Sequence, residues 1–336
     1  MRKLASIQKI VSVNPIEGAD AIERIQVLGW QLVAKKGEFK PGDWCVYCET
    51  DSILPEKPEF EFLRNKQFRI KTIRLRGVIS QGIAFPISIL QNLGVNLTVM
   101  NEGDEVTDVL GITKYEPVMP VRIGGDTKGN FPSFIPKTNE TRLQTIPNFI
   151  NRNGDIRVYV SEKLDGTSST FYVNEKNFGV CSHNLEIKRS DNNTIWQIAK
   201  KYDIEEKLLS YNMNISIQGE ICGPEIQKNK LKLKEHKLFI FNVFDIDHYR
   251  YYDFDELMEF CEKNKFEVVP ILYRDIKISD FPDVESWVNL SIGKSVFGNM
   301  NREGIVVRSM KETSDFETGR VSFKAINPNF LLENNE

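Results

Sequence analysis

Glu162-Lys163-Leu164-Asp165-Gly166-Thr167 places an amine-bearing side chain two residues before a carboxylate and three before a glycine. A Lys-x-Asp-Gly tetrapeptide arises by chance in roughly one chain of this length in ten, so by itself it also fits a surface lysine beside an Asp-Gly turn. Its company narrows the reading. Gly219-Glu220 follows, then an apolar run, Leu238-Phe239-Ile240-Phe241-Asn242-Val243-Phe244, then Glu303-Gly304-Ile305-Val306-Val307-Arg308, then Phe323-Lys324. A lysine is protonated near neutral pH and attacks phosphorus only when its ammonium is destabilised by positive charge, a metal or desolvation. Lys324 and a bound cation are the expected sources of that field. A triphosphate and its transition state are anionic, so basic groups and a divalent ion suit them. Asp165, Glu220 and Glu303 are oxygen donors suited to hydrated Mg²⁺ or Mn²⁺, with contacts expected mostly through water.

This ordered set resembles the covalent nucleotidyltransferase superfamily of polynucleotide ligases and RNA capping enzymes, over residues 136 to 331. The resemblance implies an α+β nucleotidyltransferase domain, ATP-grasp-like, in which Lys163 attacks the nucleotide α-phosphate. It also implies nucleotide contacts from Arg142, Glu162, Gly166, Glu220, Phe244, Glu303 and Lys324, and metal contacts from Asp165, Glu220 and Glu303. Phe244, at the end of a strand otherwise buried, is expected to stack on adenine, with Ile305 or Val307 opposite. Two positions depart from the family pattern. Lys324-Ala325-Ile326 keeps the first lysine of a Lys-x-Lys motif and loses the second, and His183 stands where an arginine is common.

The front of the chain carries short alternating stretches at Ile10–Val13, Gln31–Ala34, Trp44–Tyr47, Phe68–Lys71 and Ile83–Phe85, punctuated by glycine and proline. Five such strands predict a small β-barrel. Asn14–Asp20, Lys36–Asp43 and Lys71–Gly82 are similar to the N-terminal OB-fold domain of the nick-sealing RNA ligase group, and Pro136–Gln144 and Gly219–Gln227 are RNA-ligase-like as well. The expected organisation is multidomain: an OB-fold β-barrel over 1–112, a connector over 113–135 rich in proline and glycine (Pro117, Pro120, Gly124, Gly125, Gly129, Pro132), and the transferase over 136–336. Only twelve residues follow Lys324, so a further C-terminal OB domain is not expected. From Arg64 to Arg76 the chain has six basic and no acidic residues, and Arg69, Lys71, Arg74 and Arg76 are the expected nucleic-acid contacts. The other reading of that run is a solvated strand whose charges guard an edge.

The resemblance implies an ATP-dependent RNA ligase, with Mg or Mn, that joins 3′-OH and 5′-phosphate ends through lysyl-AMP and adenylated-polynucleotide intermediates. Its substrates would be RNA ends or a nicked duplex with an RNA 3′-OH strand. A GTP-using capping guanylyltransferase, a DNA ligase, and an OB-fold RNA-binding protein with a relic transferase stay open as alternatives. Composition agrees with two globular cores: 336 residues, 40% hydrophobic and 27% charged. A net charge of -3 excludes a uniformly basic nucleic-acid binder but leaves room for a local groove. Five scattered cysteines read as buried thiols rather than a metal or redox set. No stretch is apolar enough for a signal or a membrane span, so an intracellular, cytoplasmic location is the default, with no obligate protein partner.

Overall fold

The computed structural model describes residues 3–116 and 125–336. Pro117, Pro120 and Gly124 of the expected connector lie outside the described residues. The chain forms two compact units, and both draw on separated stretches. One comprises Met1–Pro117, Leu143–Pro147 and Pro328–Glu336, and the other Val118–Arg142 and Asn148–Asn327.

In the first unit, β1 (Ala5–Pro15), β2 (Ile22–Val27), β3 (Trp30–Lys35) and β4 (Trp44–Cys48) join a later strand. A small hairpin of β5 (Ile73–Leu75) and β6 (Val78–Ser80) precedes that strand, β7 (Ile83–Pro86). The sheet order is β3-β2-β1-β4-β7, all antiparallel. Five strands were expected, but one differs. Phe68–Lys71 is not a strand: it follows a 3₁₀ segment, Pro58–Lys66, and Gln67 and Phe68 take left-handed φ of 54° and 56°, which breaks an extended run. Its place in the sheet belongs to β2, whose alternation is hidden in the sequence because buried Glu23 sits on the same face as Ile25 and Val27. Glu23 is tolerated there because it accepts a hydrogen bond from the Gly37 amide at 2.9 Å.

In the second unit, β8 (Thr127–Asn130), β9 (Arg157–Lys163), β10 (Thr167–Asn174), β11 (Asn177–Cys181), β12 (Leu185–Ile187), β13 (Ile215–Cys222), β14 (Lys237–Asp245) and β15 (Arg250–Tyr251) lead to β16 (Ile271–Lys277), β17 (Gly304–Ser309) and β18 (Ser322–Ile326). The larger sheet runs β8-β12-β11-β10-β13-β14-β15, with Glu267–Val268 added parallel to β14. The smaller runs β16-β9-β17-β18. Two helices cover the larger sheet. α1 (Thr194–Lys201) is started by the Asn193 side chain, which accepts from the Ile195 and Trp196 amides, and it buries Ile195, Ile198 and Ala199 at the i, i+3, i+4 spacing of one helix face. α2 (Phe254–Asn264) buries Phe254, Leu257, Phe260 and Cys261, and Glu256 reaches back to the Asp253 amide at 2.8 Å, as the sequence pattern predicts. Ile195, Ile198, Leu257 and Phe260 join Phe171, Ile217, Ile240 and Val243 in one core, each worth about 1.5–3 kcal/mol of apolar burial. All five cysteines are buried free thiols.

Candidate active site

β9 lies between β16 and β17, and its last residue is Lys163. Register across the small sheet aligns Ser161, Val306 and Lys324 in one row and Lys163, Gly304 and Ile326 in the next but one. Lys324 therefore stands two residues of register from the nucleophile candidate, with the row of Glu162, Ile305 and Ala325 between them. Ile326, at the place of the missing second lysine, is buried in Lys163's own row. Past Lys163 the chain turns through Leu164, which is buried, and Gly166. A Cβ on Gly166 would collide with the Ile221 carbonyl, Cys222 Sγ and Glu220 Cγ, so only glycine lets β10 start this close to β13. The same approach lets the Gly166 amide donate to Glu220 Oε1 at 3.1 Å.

The charges converge here. Lys163 Nζ donates to Glu303 Oε1 at 2.6 Å, and Lys230 Nζ lies 2.8 Å from Asp165 Oδ2. Burial disfavours the Lys163 ammonium, but Glu303, Glu220 and Asp165 outweigh it and hold its proton more tightly than usual. The side chains around Lys163 thus do not themselves destabilise its ammonium, because three acids face it. Burial first, then Glu303 and Asp165, push the Glu220 carboxyl up to about 8, against the pull of Lys163 and the Gly166 amide. Three carboxyl groups drawn together at one place are hard oxygen donors of the kind a divalent cation prefers. Among the described residues no group of three or more His, Cys, Asp or Glu is placed to hold a metal ion by itself.

A cavity of about 210 Å³ opens beside Lys163. Phe241, Val269, Leu164 and Val306 give it apolar walls, and Thr138, Asn139, Glu140, Ser168, Glu220 and Lys324 line it with polar groups. Phe244 does not line it. That residue is 1% exposed and packs on Tyr249 and Tyr251, at ring-centroid distances of 5.2 and 4.9 Å. The cause is its position along β14, beyond a β-bulge: Phe244 opposite Ser216 shares a face with Phe239 opposite Glu220, but lies farther along the strand. Gln218 pairs with Asn242 and Gly219 with Ile240, so Phe241 is the extra residue and the strand's alternation shifts phase there. The aromatic wall expected at Phe244 is Phe241, and the opposite wall expected at Ile305 or Val307 includes Val306 instead. Glu162 lines the cavity, but its carboxylate accepts from the Val296 amide at 2.9 Å, which makes it a brace for that loop. Arg142 lies outside the lining and bridges to Lys324 through the backbone. His183 is exposed and does line the cavity.

Sequence reading missed Glu140, Arg308 and Lys230 as site groups. Arg308 Nη2 donates to Glu140 Oε1 at 2.5 Å, and Arg320 continues the network to Glu312 and Asn242 at 2.7 and 3.2 Å. Arg308 closes the quoted Glu-Gly-Ile-Val-Val-Arg stretch and Glu140 sits two residues before Arg142, so a signal existed for both. Lys230 is one of four alternating lysines from Lys228 to Lys234 and carries no such signal.

In the first unit, the basic run is only partly available. Arg69 is pinned by Asp51 at 2.7 Å and stacks over Tyr115 at 3.5 Å, with 12% of its side chain exposed, so it is not a free phosphate contact. Arg64 is paired with Glu61 and Glu56. Lys71 is half-buried, and burial, Arg69 and Lys66 loosen its proton. Arg74 and Arg76 are exposed on the β5–β6 hairpin, with Arg74 reaching Gly77 O and Asn329 Oδ1 at 3.4 and 3.3 Å. Acids before the run, Asp51, Glu56 and Glu61, pair with Arg69 and Arg64, so only part of the acid-free stretch keeps its charge unpaired by acids.

Comparison with protein families matches residues 156–326 to the RNA ligase model. The chain belongs to the RNA ligase family. Residues 4–87 of the ligase match an OB-fold domain model. Among solved structures, Naegleria gruberi RNA ligase with PPi is 36% identical, with 98% of each chain covered and a TM-score of 0.90. A lysine-to-alanine variant of the Naegleria ligase with ATP and Mn is 35% identical, again with 98% of each chain covered and a TM-score of 0.90. A glutamate-to-alanine variant with AMP and Mn matches at the same identity, coverage and TM-score. No curated protein matches the ligase.

Proposed function

We propose that this RNA ligase uses ATP and Mg²⁺ or Mn²⁺ to join a 3′-OH to a 5′-phosphate, at nicks whose 3′-OH strand is RNA. The observation that carries the reading is Lys163 at a cavity wall, 2.6 Å from Glu303 and facing Glu220 and Asp165. The Naegleria structures with ATP and Mn, with AMP and Mn, and with PPi support ATP as donor and Mn as a metal here. In the first step the Lys163 amine attacks the α-phosphorus, a P–N bond forms, the α–β P–O bond breaks, and pyrophosphate leaves. In the second, an RNA 5′-phosphate oxygen displaces lysine and takes the AMP. In the third, the 3′-OH attacks that phosphate, AMP leaves, and the phosphodiester is complete.

The divalent ion would neutralise the carboxylates and the phosphate charge, which makes lysine deprotonation and pyrophosphate departure easier. Asp165, Glu220 and Glu303 would hold it, mostly through water. Phe241 would stack on adenine, and Lys324 would meet the α-phosphate. Arg74, Arg76 and Lys71 would track RNA phosphates. Among the described residues no helix is long and apolar enough to cross a membrane, and an intracellular setting belongs to the same reading.

The test is incubation with α-phosphate-labelled ATP and Mn²⁺, followed by sealing of matched RNA and DNA nicks. The wild-type protein is expected to gain an acid-labile label, and Lys163→Ala and Lys163→Arg to gain none, since arginine keeps its charge and is no nucleophile. Label on the alanine variant would remove Lys163 from the role. Equal sealing of an all-DNA nick would reject the RNA preference, and labelling by GTP in place of ATP would reject the donor.

A further inference from the structure

Each of the three acids facing Lys163 has a partner within the protein. Glu303 accepts from the Lys163 ammonium at 2.6 Å, Glu220 from the Gly166 amide at 3.1 Å, and Asp165 forms its ion pair with Lys230 at 2.8 Å. The first two belong to the nucleophile and its turn. The third is unexplained by the reaction steps. Only 17% of the Lys230 side chain and 15% of the Asp165 side chain are exposed, so water screens this pair far less than a surface pair such as Lys277–Asp155, at 45% and 98%.

The segment that delivers Lys230 is held firmly. Glu225, Gln227, Lys228, Asn229 and Lys232 all take left-handed φ, between 45° and 65°. Such conformations in non-glycine residues persist only when the surroundings over-determine them, and they gather at functional sites. Asn229 clasps Leu233 twice, its Nδ2 donating to the carbonyl at 2.9 Å and its Oδ1 accepting from the amide at 3.0 Å. Leu231 is buried in the cluster of Leu164, Phe239 and Phe241, directly under the cavity wall. A long flexible ammonium is thereby aimed at one carboxylate of the site.

We propose that Lys230 is a positioning residue: an exchangeable counter-ion that occupies the cation place at Asp165, so that a divalent ion enters the site by displacing it. The proposal rests on the reading that Asp165 belongs to the metal site. An ammonium and a divalent ion compete for the same carboxylate oxygens, and the ammonium, being tethered, competes at a fixed high local concentration. Before metal arrives, Lys163 and Lys230 balance much of the acid charge and keep the three carboxylates from repelling one another. Metal affinity without nucleotide is weak by construction.

Direct Mn²⁺ binding, read by electron paramagnetic resonance in the absence of ATP, tests this without relying on turnover. Lys230→Met and Lys230→Gln are expected to bind Mn²⁺ about tenfold more tightly than wild type, a difference of about 1.4 kcal/mol. Lys230→Arg, which keeps the charge, is expected to bind as weakly as wild type, and in an Asp165→Asn background Lys230→Met is expected to change nothing. Unchanged or weaker Mn²⁺ binding by folded Lys230→Met and Lys230→Gln would overturn the proposal, as would equal tightening in Lys230→Arg. Two neutral variants guard against one failing to fold, with the thermal transition recorded for each. Labelling of wild-type ligase by α-labelled ATP in the same samples reports separately on the proposed function.

Discussion

Arg308 is 3% exposed, and its ion pair with Glu140 is the most deeply buried charge pair at the cavity. Burial opposes the Glu140 carboxylate, yet Arg308, Arg320, its own backbone amide and Lys324 hold its pKa down to about 2 from an ordinary value of 4.5. Removing one partner leaves an uncompensated buried charge, which typically costs 3–5 kcal/mol. Arg308→Met is therefore expected to destabilise the ligase by about 3 kcal/mol in urea titration, and Glu140→Gln added to it to recover much of the loss. The pH dependence has a definite sign. A carboxyl whose folded pKa lies below its unfolded one stabilises fully above pH 4.5, and that contribution fades as pH falls toward 2. Glu140→Gln is expected to flatten the acid limb of stability in that window, and an unchanged limb would show that the carboxylate is not held as described. Both residues stood in the sequence beside recognised motifs. What hid them was that their pairing spans 168 positions and depends on burial.

The strand β14 shows what one extra residue does to an element. Its apolar sequence predicts burial correctly, and periodicity gives no way to tell which aromatic faces the cavity, because every position from Leu238 to Phe244 but Asn242 is large and apolar. The bulge opposite Gln218 and Gly219 brings Phe244 to the face of Phe239, and position along the strand then leaves Phe241 at the cavity and Phe244 against Tyr249 and Tyr251. A Cβ on Gly219 would press on the Phe239 carbonyl and the Leu238 side chain, so glycine permits the close approach of β13 and β14 at that irregularity. Phe241→Ala is expected to raise the ATP concentration needed for adenylation by about tenfold or more, given stacking worth about 1–3 kcal/mol per base, with little change in melting. Phe244→Ala should do the reverse. Its truncation in a buried cluster costs about 3–5 kcal/mol of stability and leaves the nucleotide requirement near wild type. A KM for ATP that moves with Phe244 rather than Phe241 would return the stacking role to the former.

At the scale of the whole molecule, the basic run of the first unit divides into structural and available charges. Arg69→Ala is expected to lower the melting temperature, because it removes the ion pair to Asp51 and the stack on Tyr115, while leaving the salt dependence of RNA binding unchanged. Arg76→Ala is expected to keep stability and to shallow the logarithmic salt slope by roughly one unit, as for the loss of one phosphate contact. An identical salt slope for wild type and Arg76→Ala would take the hairpin out of RNA tracking. By itself the sequence determined the family and the presence of an OB-fold domain, because these rest on short ordered motifs, and it brought forward Lys163, Asp165, Glu220 and Glu303 as candidates that the fold gathers in one place. The Gly166 and Gly304 positions were legible too, although only packing explains them: a Cβ at either would strike a neighbouring strand. Tertiary structure alone decided which charges are spent and which remain. It paired Lys163 with Glu303, Lys230 with Asp165 and Arg69 with Asp51. It also moved the aromatic wall from Phe244 to Phe241. The physical reason is that a side chain's protonation and reach depend on neighbours brought close by strand register and burial, and those neighbours lie tens to hundreds of positions away.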